Sequence, residues 1–409
     1  MFLNKIFNRT RSTSTSSRFS SWIGFNEQTS SGEVVTVENG SNLGIVFAAI
    51  YLKSSSIAKL PISVYKKTSN GRERDNAHRI AYLLSTRPNR HQSPYSFLFT
   101  MGVHMNTHGA AFIKQDINRR GLVESLRLMY PSSVSIVMDR EGKVFYIETM
   151  EDGTTQVHNE EEVLFLPLYS TDGFNYKSPI EVAMENIGVL RSQQKFLGSF
   201  YKNGTLSRGV IKVPTTLNKE AKDKVRQAWQ DMTSGMDTNA SKVAVLDSGF
   251  EYQNITIPLE QAEFIASANF NLREIARIFN VPAHLIGDLE RSTFNNIEHL
   301  SMSYVEHTLM PICCQIEQEM NFRLFTASEQ KQGYYVKFNM TSALRADSTT
   351  RAAFYEKMLD KGVYSINMVL ELEDENGIGP AGDVHRVDLN HVSINIADEY
   401  QLNKSQNKS

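Results

Sequence analysis

Apolar residues recur at helical spacing in LGIVFAAIYLKSSSIAKL from Leu43, then alternate with polar ones in PISVYKK before a turn signal at Asn70-Gly71. This pattern predicts a helix followed by a strand. A short helix is expected over His78 to Leu84, ended before Pro88, and Pro94 opens another that carries Phe97, Met101, His104 and His108. Four short strands should follow Gly109, namely AAFIKQD, LRLMY, VSIVMD and KVFYIETM, separated by Asn118 to Gly121, Pro131 and the Asp139 to Gly142 turn. This first unit reads as α+β.

At Ser178 the period changes to 3.6. Ser178 as N-cap, Pro179 at the first helical position and Glu181 three residues after the cap predict a capping box. Ile180, Ala183, Ile187, Leu190, Leu197 and Phe200/Tyr201 form one apolar stripe, and Asn203-Gly204 ends a run about 38 Å long. A compact α/β insert comes next, with a strand over Arg208 to Pro214, a charged helix over Asn218 to Met232, and strands over Val243 to Leu246 and Phe250 to Thr256. Pro258 starts a second long helix carrying the small residues Ala262, Ala266, Ser267 and Ala268.

Val281-Pro282 should break that helix, because the residue before proline is pushed out of the α region. Thirteen irregular residues, 281–293, follow. From Phe294 to about Phe325 a third helix places Ile297, Leu300, Tyr304, Ile312, Ile316 and Met320 on one face. Pro311 lies inside it, so a kink is expected one turn earlier, where its ring meets the carbonyl of His307. Tyr334 to Met340 alternates as a strand, and Asp347 to Lys361 and Ser365 to Glu373 read as helices joined at Gly362. The Ser/Thr-rich N-terminus, Met1 to Gly32, predicts a flexible or docking arm, and the residues from about Ile396 a loose tail.

Composition narrows the classes. Across 409 residues, 41% are hydrophobic and 22% charged, and the formal net charge is -2. That balance argues against a protein gripping nucleic acid over a wide basic surface, though not against one that lets DNA pass. The two cysteines, Cys313 and Cys314, are adjacent in a helical run, which predicts free, buried thiols and a reducing compartment. No apolar run reaches the ~20 residues that would cross a bilayer, so a soluble intracellular protein with no membrane partner is expected.

Three features invite an enzyme reading, metal- or nucleotide-dependent, and each has a plainer alternative. Gly377, Gly379 and Gly382 spell GxGxxG, but an acidic helix end precedes them and DVHRVDLN follows, so an irregular turn is expected instead of a phosphate cradle. His104 and His108 are four apart on one helix, yet no third ligand is in register, and a structural pair is expected. Asp374, Glu375 and Asp383 read as a solvated surface turn. Neither GxxxxGK[ST] nor GxSxG occurs. No cofactor, metal or catalytic residue is therefore assigned.

The order of helix, α/β insert, helix, irregular loop and long kinked helix resembles the portal proteins of tailed bacteriophages, in their siphophage and prophage branch. The likeness rests on VFAAIYLKSSSIAKLPISVYKK, LLSTRPNRHQSPYSF, DGFNYKSPIEVAMENIG and IARIFNVPAHLIGDLERSTFNNIE, which together span about Val46 to Asp383.

The resemblance implies an α+β portal fold: a flexible arm (1–32), a wing (33–177), a two-helix stem (178–204 and 258–280), a small α/β clip (205–257), a tunnel loop (281–293), a long kinked helix (294–325), a strand returning to the wing (326–343), a helical crown (344–390) and a flexible tail (391–409). It further implies a ring, typically of twelve subunits, at the unique capsid vertex of the virion. Such a ring assembles in the bacterial host cytoplasm, passes double-stranded DNA, and meets the terminase large subunit, major capsid and scaffold proteins and a head-tail adaptor. His284, Asp288, Glu290, Arg291, Ser292 and Thr293 would then belong to the tunnel loop, Pro282 and Pro311 to the break and kink, and Arg208, Lys212, Lys219, Lys222, Lys224 and Arg226 to the docking surface of the clip. The loop charges could instead pair with one another within the ring. A portal of a gene transfer agent or defective prophage is the alternative within the same fold.

Overall fold

The alternation of PISVYKK puts Ile62 and Val64 on one side of a strand, and a chain segment some 270 residues later supplies its neighbour. The computed structural model describes residues 28–69, 71–203, 209–212, 216, 218–233, 251–254, 264–287, 300–340, 348–373 and 375–385, and the chain divides into two compact units, 1–340 and 341–409.

In the first unit, α1 (Val37–Ser41) and α2 (Gly44–Ala58) lead into β1 (Ile62–Thr68) and β2 (Gly71–Arg74). Then come α3 (Arg79–Ser85), α4 (Pro94–His108), β3 (Ala110–Ile117), β4 (Val123–Met129), β5 (Val134–Met138), β6 (Val144–Thr149), β7 (Thr155–Asn159) and β8 (Val163–Pro167). Next come α5 (Pro179–Val182), α6 (Met184–Asn203), β9 (Gly209–Lys212), α7 (Lys219–Thr233), β10 (Glu251–Asn254) and α8 (Phe264–Ile278). A π turn (Val305–Leu309), α9 (Met310–Arg323), α10 (Ala327–Lys331) and β11 (Tyr334–Phe338) complete it.

β1 is the centre of an antiparallel sheet ordered β11-β1-β2, with Ile62 opposite Phe338 and Val64 opposite Val336. Those four side chains are buried, and α3 and α9 pack against their strands. β3 is the centre of a second sheet, β4-β3-β8, and β6 of a third, β5-β6-β7. Ala110, Phe112, Met129, Val134, Val144, Tyr146 and Val163 form one core joining these two sheets, with Phe165 stacked on Phe112 at 5.2 Å. Two of these strands, β7 and β8, exceed the four read from the sequence. β7 is a polar edge strand without alternation, and β8 is a five-residue run following three glutamates.

α2 and α4 cross so closely that a Cβ on Gly102 would lie 2.9 Å from the Ser54 Cα. Only glycine fits there. Ser178 caps the next helix as expected, its Oγ accepting from the Ile180 amide, but Glu181 returns no bond and the helix is interrupted at Ala183. The capping box is thus half formed. The stripe Ile180, Ala183, Ile187 and Leu190 is buried, and burial fades toward Leu197.

The docked part of the chain begins earlier than the expected arm boundary at residue 32. Gln28 bridges Val34, Thr29 is buried, and Ser30 donates from its amide and its hydroxyl to the Glu185 carboxylate. A Cβ on Gly188 would meet Thr29 Oγ1 at 2.5 Å, so α6 is shaped to receive this turn. Residues 1–27 lie outside the described ones.

Leu300, placed on the apolar face of the third long helix, is 39% exposed, whereas Tyr304, Ile312, Ile316 and Met320 are buried. Of the two free thiols Cys313 is buried and Cys314 exposed, which corrects the expectation of a buried pair. Their helix presents adjacent residues to different faces.

In the second unit, α11 (Ser348–Asp360) and α12 (Ile366–Leu372) flank Gly362, whose φ is 66°. Tyr355 donates to Glu373, which also pairs with Arg351. No helix among the described residues is long and apolar enough to cross a membrane.

Candidate functional site

The two long helices α6 and α8 are joined by side-chain amides and hydroxyls as well as by packing. Asn186 donates to Asn271 at 3.0 Å, and Gln193 to Ser267 at 3.3 Å. As the number rises on α6 it falls on α8, so the pair is antiparallel. Asn271 is buried, and its own amide is satisfied by the Ser267 carbonyl. A buried amide left unpaired costs about 1–3 kcal/mol, which makes this bridge specific for one helix register.

The end of α8 is set by Asn280, not by Pro282. Asn280 has φ 53°, the left-handed conformation that terminates helices. Its amide bonds the Arg277 carbonyl and the Val281 amide bonds the Ala276 carbonyl, the two closures of a Schellman motif. The helix therefore stops before the X-Pro restriction is needed, which corrects the assignment of the break to Val281-Pro282. Asparagine at such a position was the available signal. Pro282 instead caps a single 3-10 turn, Ala283–Ile286, closed by Gly287 at φ 102°. The start of the expected irregular loop is thus ordered.

The predicted disturbance before Pro311 takes the form of the π turn. Met310 donates to Val305 instead of to Glu306, shifting the ladder by one residue. Pro311 has no N–H to offer the His307 carbonyl four residues back. That carbonyl accepts instead from Asn280 Nδ2 at 3.2 Å, and Thr308 Oγ1 donates to the Asn280 carbonyl at 2.7 Å. The residue that stops α8 also satisfies the π turn.

His284 sits in the 3-10 turn, which packs against α2. Its Nε2 is buried without a hydrogen-bond partner among the described residues, and burial lowers its pKa. On α2, Lys53 is buried and its ammonium is pushed down to about 8 by desolvation. Asp288, Glu290, Arg291, Ser292 and Thr293 lie outside the described residues.

The insert's β9 and β10 pair antiparallel, with Lys212 opposite Glu251. Asn218 caps α7 by accepting from the Ala221 amide. Lys219, Lys222 and Arg226 stand three and four apart and share a face, with Arg226 paired to Asp223 at 3.1 Å. Lys224 points to another side of the helix. Arg208 and the strand expected over Val243 to Leu246 lie outside the described residues.

The features behind the enzyme reading have structural surroundings. His104 and His108 flank Tyr130, with ring centroids 5.9 and 5.2 Å from it, and burial lowers both imidazoles to about 4. They are neutral at pH 7. Among the described residues no group of three or more His, Cys, Asp or Glu could hold a metal. Gly377, Gly379 and Gly382 wrap around Asn367, which donates to the Gly379 carbonyl and Asp383 and accepts from the Ile378 amide. α12 precedes this turn and Pro380–Gly382 is a 3-10 turn, so it is not a strand-to-helix cradle.

The chain is 29% identical over 372 residues to a probable portal protein of Streptomyces phage phiC31, covering 88% of this chain and 80% of that one. It is 26% identical over 390 residues to the portal protein of Enterobacteria phage HK97, covering 89% and 91%. The neck of a native gene transfer agent particle, computed with C12 symmetry, contains a chain of the same fold, with TM-score 0.56 at 16% identity over 83% of this chain and 92% of that one. The family model described as phage portal protein matches residues 45–374, and with the α+β fold and the anchored helix-break-helix now in place, the chain belongs to the phage portal protein family.

Proposed function

We propose that this chain forms the ring-shaped portal of a capsid vertex, typically of twelve copies, through which double-stranded DNA is packaged and ejected. The observation that carries the reading is the antiparallel pair α6 and α8 ending in a loop whose root is fixed by Asn280. Such a pair holds a loop at one end of a rigid hairpin, where twelve copies would form a constriction. The C12 neck supports the subunit number. Heterologous contacts of this kind close into rings when the rotation between copies permits.

In this assignment 178–204 and 258–280 are stem, 281–293 tunnel loop, 205–257 clip, 33–177 with 326–343 wing, and 344–390 crown. The clip, with Lys212, Lys219, Lys222 and Arg226, docks the terminase large subunit and later the head-tail adaptor; the wing meets capsid and scaffold proteins. No catalytic step is assigned to this chain. The protein resides in the virion after assembly in the bacterial host. The gene transfer agent neck also favours a second reading, the same ring in a domesticated particle, which genomic neighbours would separate from a phage.

Native mass spectrometry and negative-stain imaging of the full chain test the ring; a protein monomeric under every condition would sink the proposal. Deleting 288–292 should leave the ring intact but impair packaging or retention of DNA. Normal packaging by that ring would remove the loop from the constriction.

A further inference from the structure

The sheet β11-β1-β2 has one face in the core and another that is basic. Directly paired residues share a face, so the pairs Tyr65 with Tyr335, Tyr65 with Arg74, Lys67 with Arg72 and Ser63 with Lys337 define the outer side. That face carries Lys67, Arg72 and Lys337, all exposed, around two half-buried tyrosines. Among the described residues, none of the strand positions paired on this face is a carboxylate. Glu73 is on the opposite face, across from Lys66, and Glu317 from α9 lies near Lys337 alone.

Lys67 and Arg72 are directly opposed like charges, an arrangement that disfavours the sheet unless an anion lies between them. Protection of an edge strand does not explain them both, because Lys67 stands on the central strand β1 and not on the edge strand β2. Their positions are also fixed in advance. The Arg72 guanidinium lies 4.9 Å from the centre of the Tyr65 ring and the Lys67 ammonium 5.9 Å from that of Tyr335, and the two rings stack at 5.8 Å. Cations held on ring faces lose less freedom on meeting an anion.

We propose that this face is a second DNA-contact surface, separate from the tunnel loop, which binds the phosphate backbone of duplex DNA without regard to sequence. The tyrosine faces are already occupied by each other and by the cations, so base stacking, the usual device for single strands, is not what the surface offers. Few cations per chain make each contact weak, and a ring would sum the contacts of its copies. The choice of duplex DNA as occupant rests on the portal reading.

The test is fluorescence anisotropy of the full chain with a labelled 30-base-pair duplex between 50 and 200 mM salt, for wild type, K67A/R72A and the charge-preserving K67R/R72K. Each lost phosphate contact removes about 0.9 from the slope of log affinity against log salt, so wild type should lose about tenfold more affinity over this range than K67A/R72A. K67R/R72K should keep the wild-type slope, and circular dichroism should be the same for all three. Equal slopes for wild type and K67A/R72A overturn the inference, whatever acidic protein the face then binds. Ring formation is measured in parallel: its absence in wild type would overturn the portal reading, while the slopes remain readable because the sheet lies within one chain.

Discussion

Asn280 Nδ2 donates to the carbonyl of His307, the group that Pro311 leaves without its helical partner. One side chain therefore ties the end of α8 to the π turn 27 residues later, and any movement of the loop between them must pull against that bond. Asn280→Ala should cost about 2 kcal/mol, from the left-handed backbone strain and the lost hydrogen bond together. Asn280→Gly relieves the backbone and loses only the bond, so it should cost about 1 kcal/mol. Urea denaturation of the three proteins gives the order wild type, Gly, Ala; an alanine variant as stable as wild type would show that the anchor has no weight.

Pro311→Ala restores an N–H four residues after His307, and a continuous α-helix can then form through Val305–Leu309. Removing an interior proline should stabilise the helix by about 1–3 kcal/mol. The gain comes at the expense of Asn280, whose acceptor is taken. Hydrogen exchange should therefore slow at residues 305–311 and quicken at 280–287, and unchanged exchange in the second segment would disconnect the proline from the loop.

His104 and His108 set a pH dependence of known sign. Burial lowers both from 6.5 to about 4, with the charge of His108 adding to the effect on His104. Depressed histidines bind fewer protons folded than unfolded, so stability is full above pH 6.5 and is lost as pH falls toward 4. Each imidazole contributes at most about 3 kcal/mol to that loss. The urea midpoint of wild type should drop between pH 7 and pH 5, and His108→Phe should make the drop smaller. An identical drop in the variant would place the titration elsewhere.

Much of this fold can be read from the chain because its helices carry clear start and stop chemistry. Pro94, and Ser178 before Pro179, announce two helices, and the alternation in PISVYKK and YYVKF announces two strands of one sheet. What escaped was set by partners far along the chain. β8 has no pattern of its own and becomes a strand because β3 is beside it, and the turn at Gln28 to Gly32 is polar sequence held by Glu185 and Gly188. At the candidate site the prolines were visible and the asparagine was not. Pro311 indicates that His307 loses a partner, but only the fold shows Asn280 arriving to replace it.

Lys53 is the clearest case of stability given up inside the first unit. It lies buried on α2, a helix that packs against α8, the 3-10 turn after Pro282 and the π turn, and among the described residues no carboxylate pairs with it. Burial alone lowers its pKa from 10.5 to about 8. At pH 7 the ammonium is still charged in both states, so the folded protein carries the whole desolvation cost; stability rises as pH passes from 8 to 10.5, where only the unfolded chain holds the proton. Lys53→Met keeps the length of the side chain and removes the charge, and should raise stability at pH 7 by about 2–3 kcal/mol. The gain should shrink as pH rises above 8, because the wild-type lysine is then neutral in the folded state. A gain that is the same at pH 7 and pH 10 would mean that packing and not charge separates the two proteins. If Lys53→Met also slows hydrogen exchange at 280–287, the buried charge weakens the packing of α2 against the 3-10 turn.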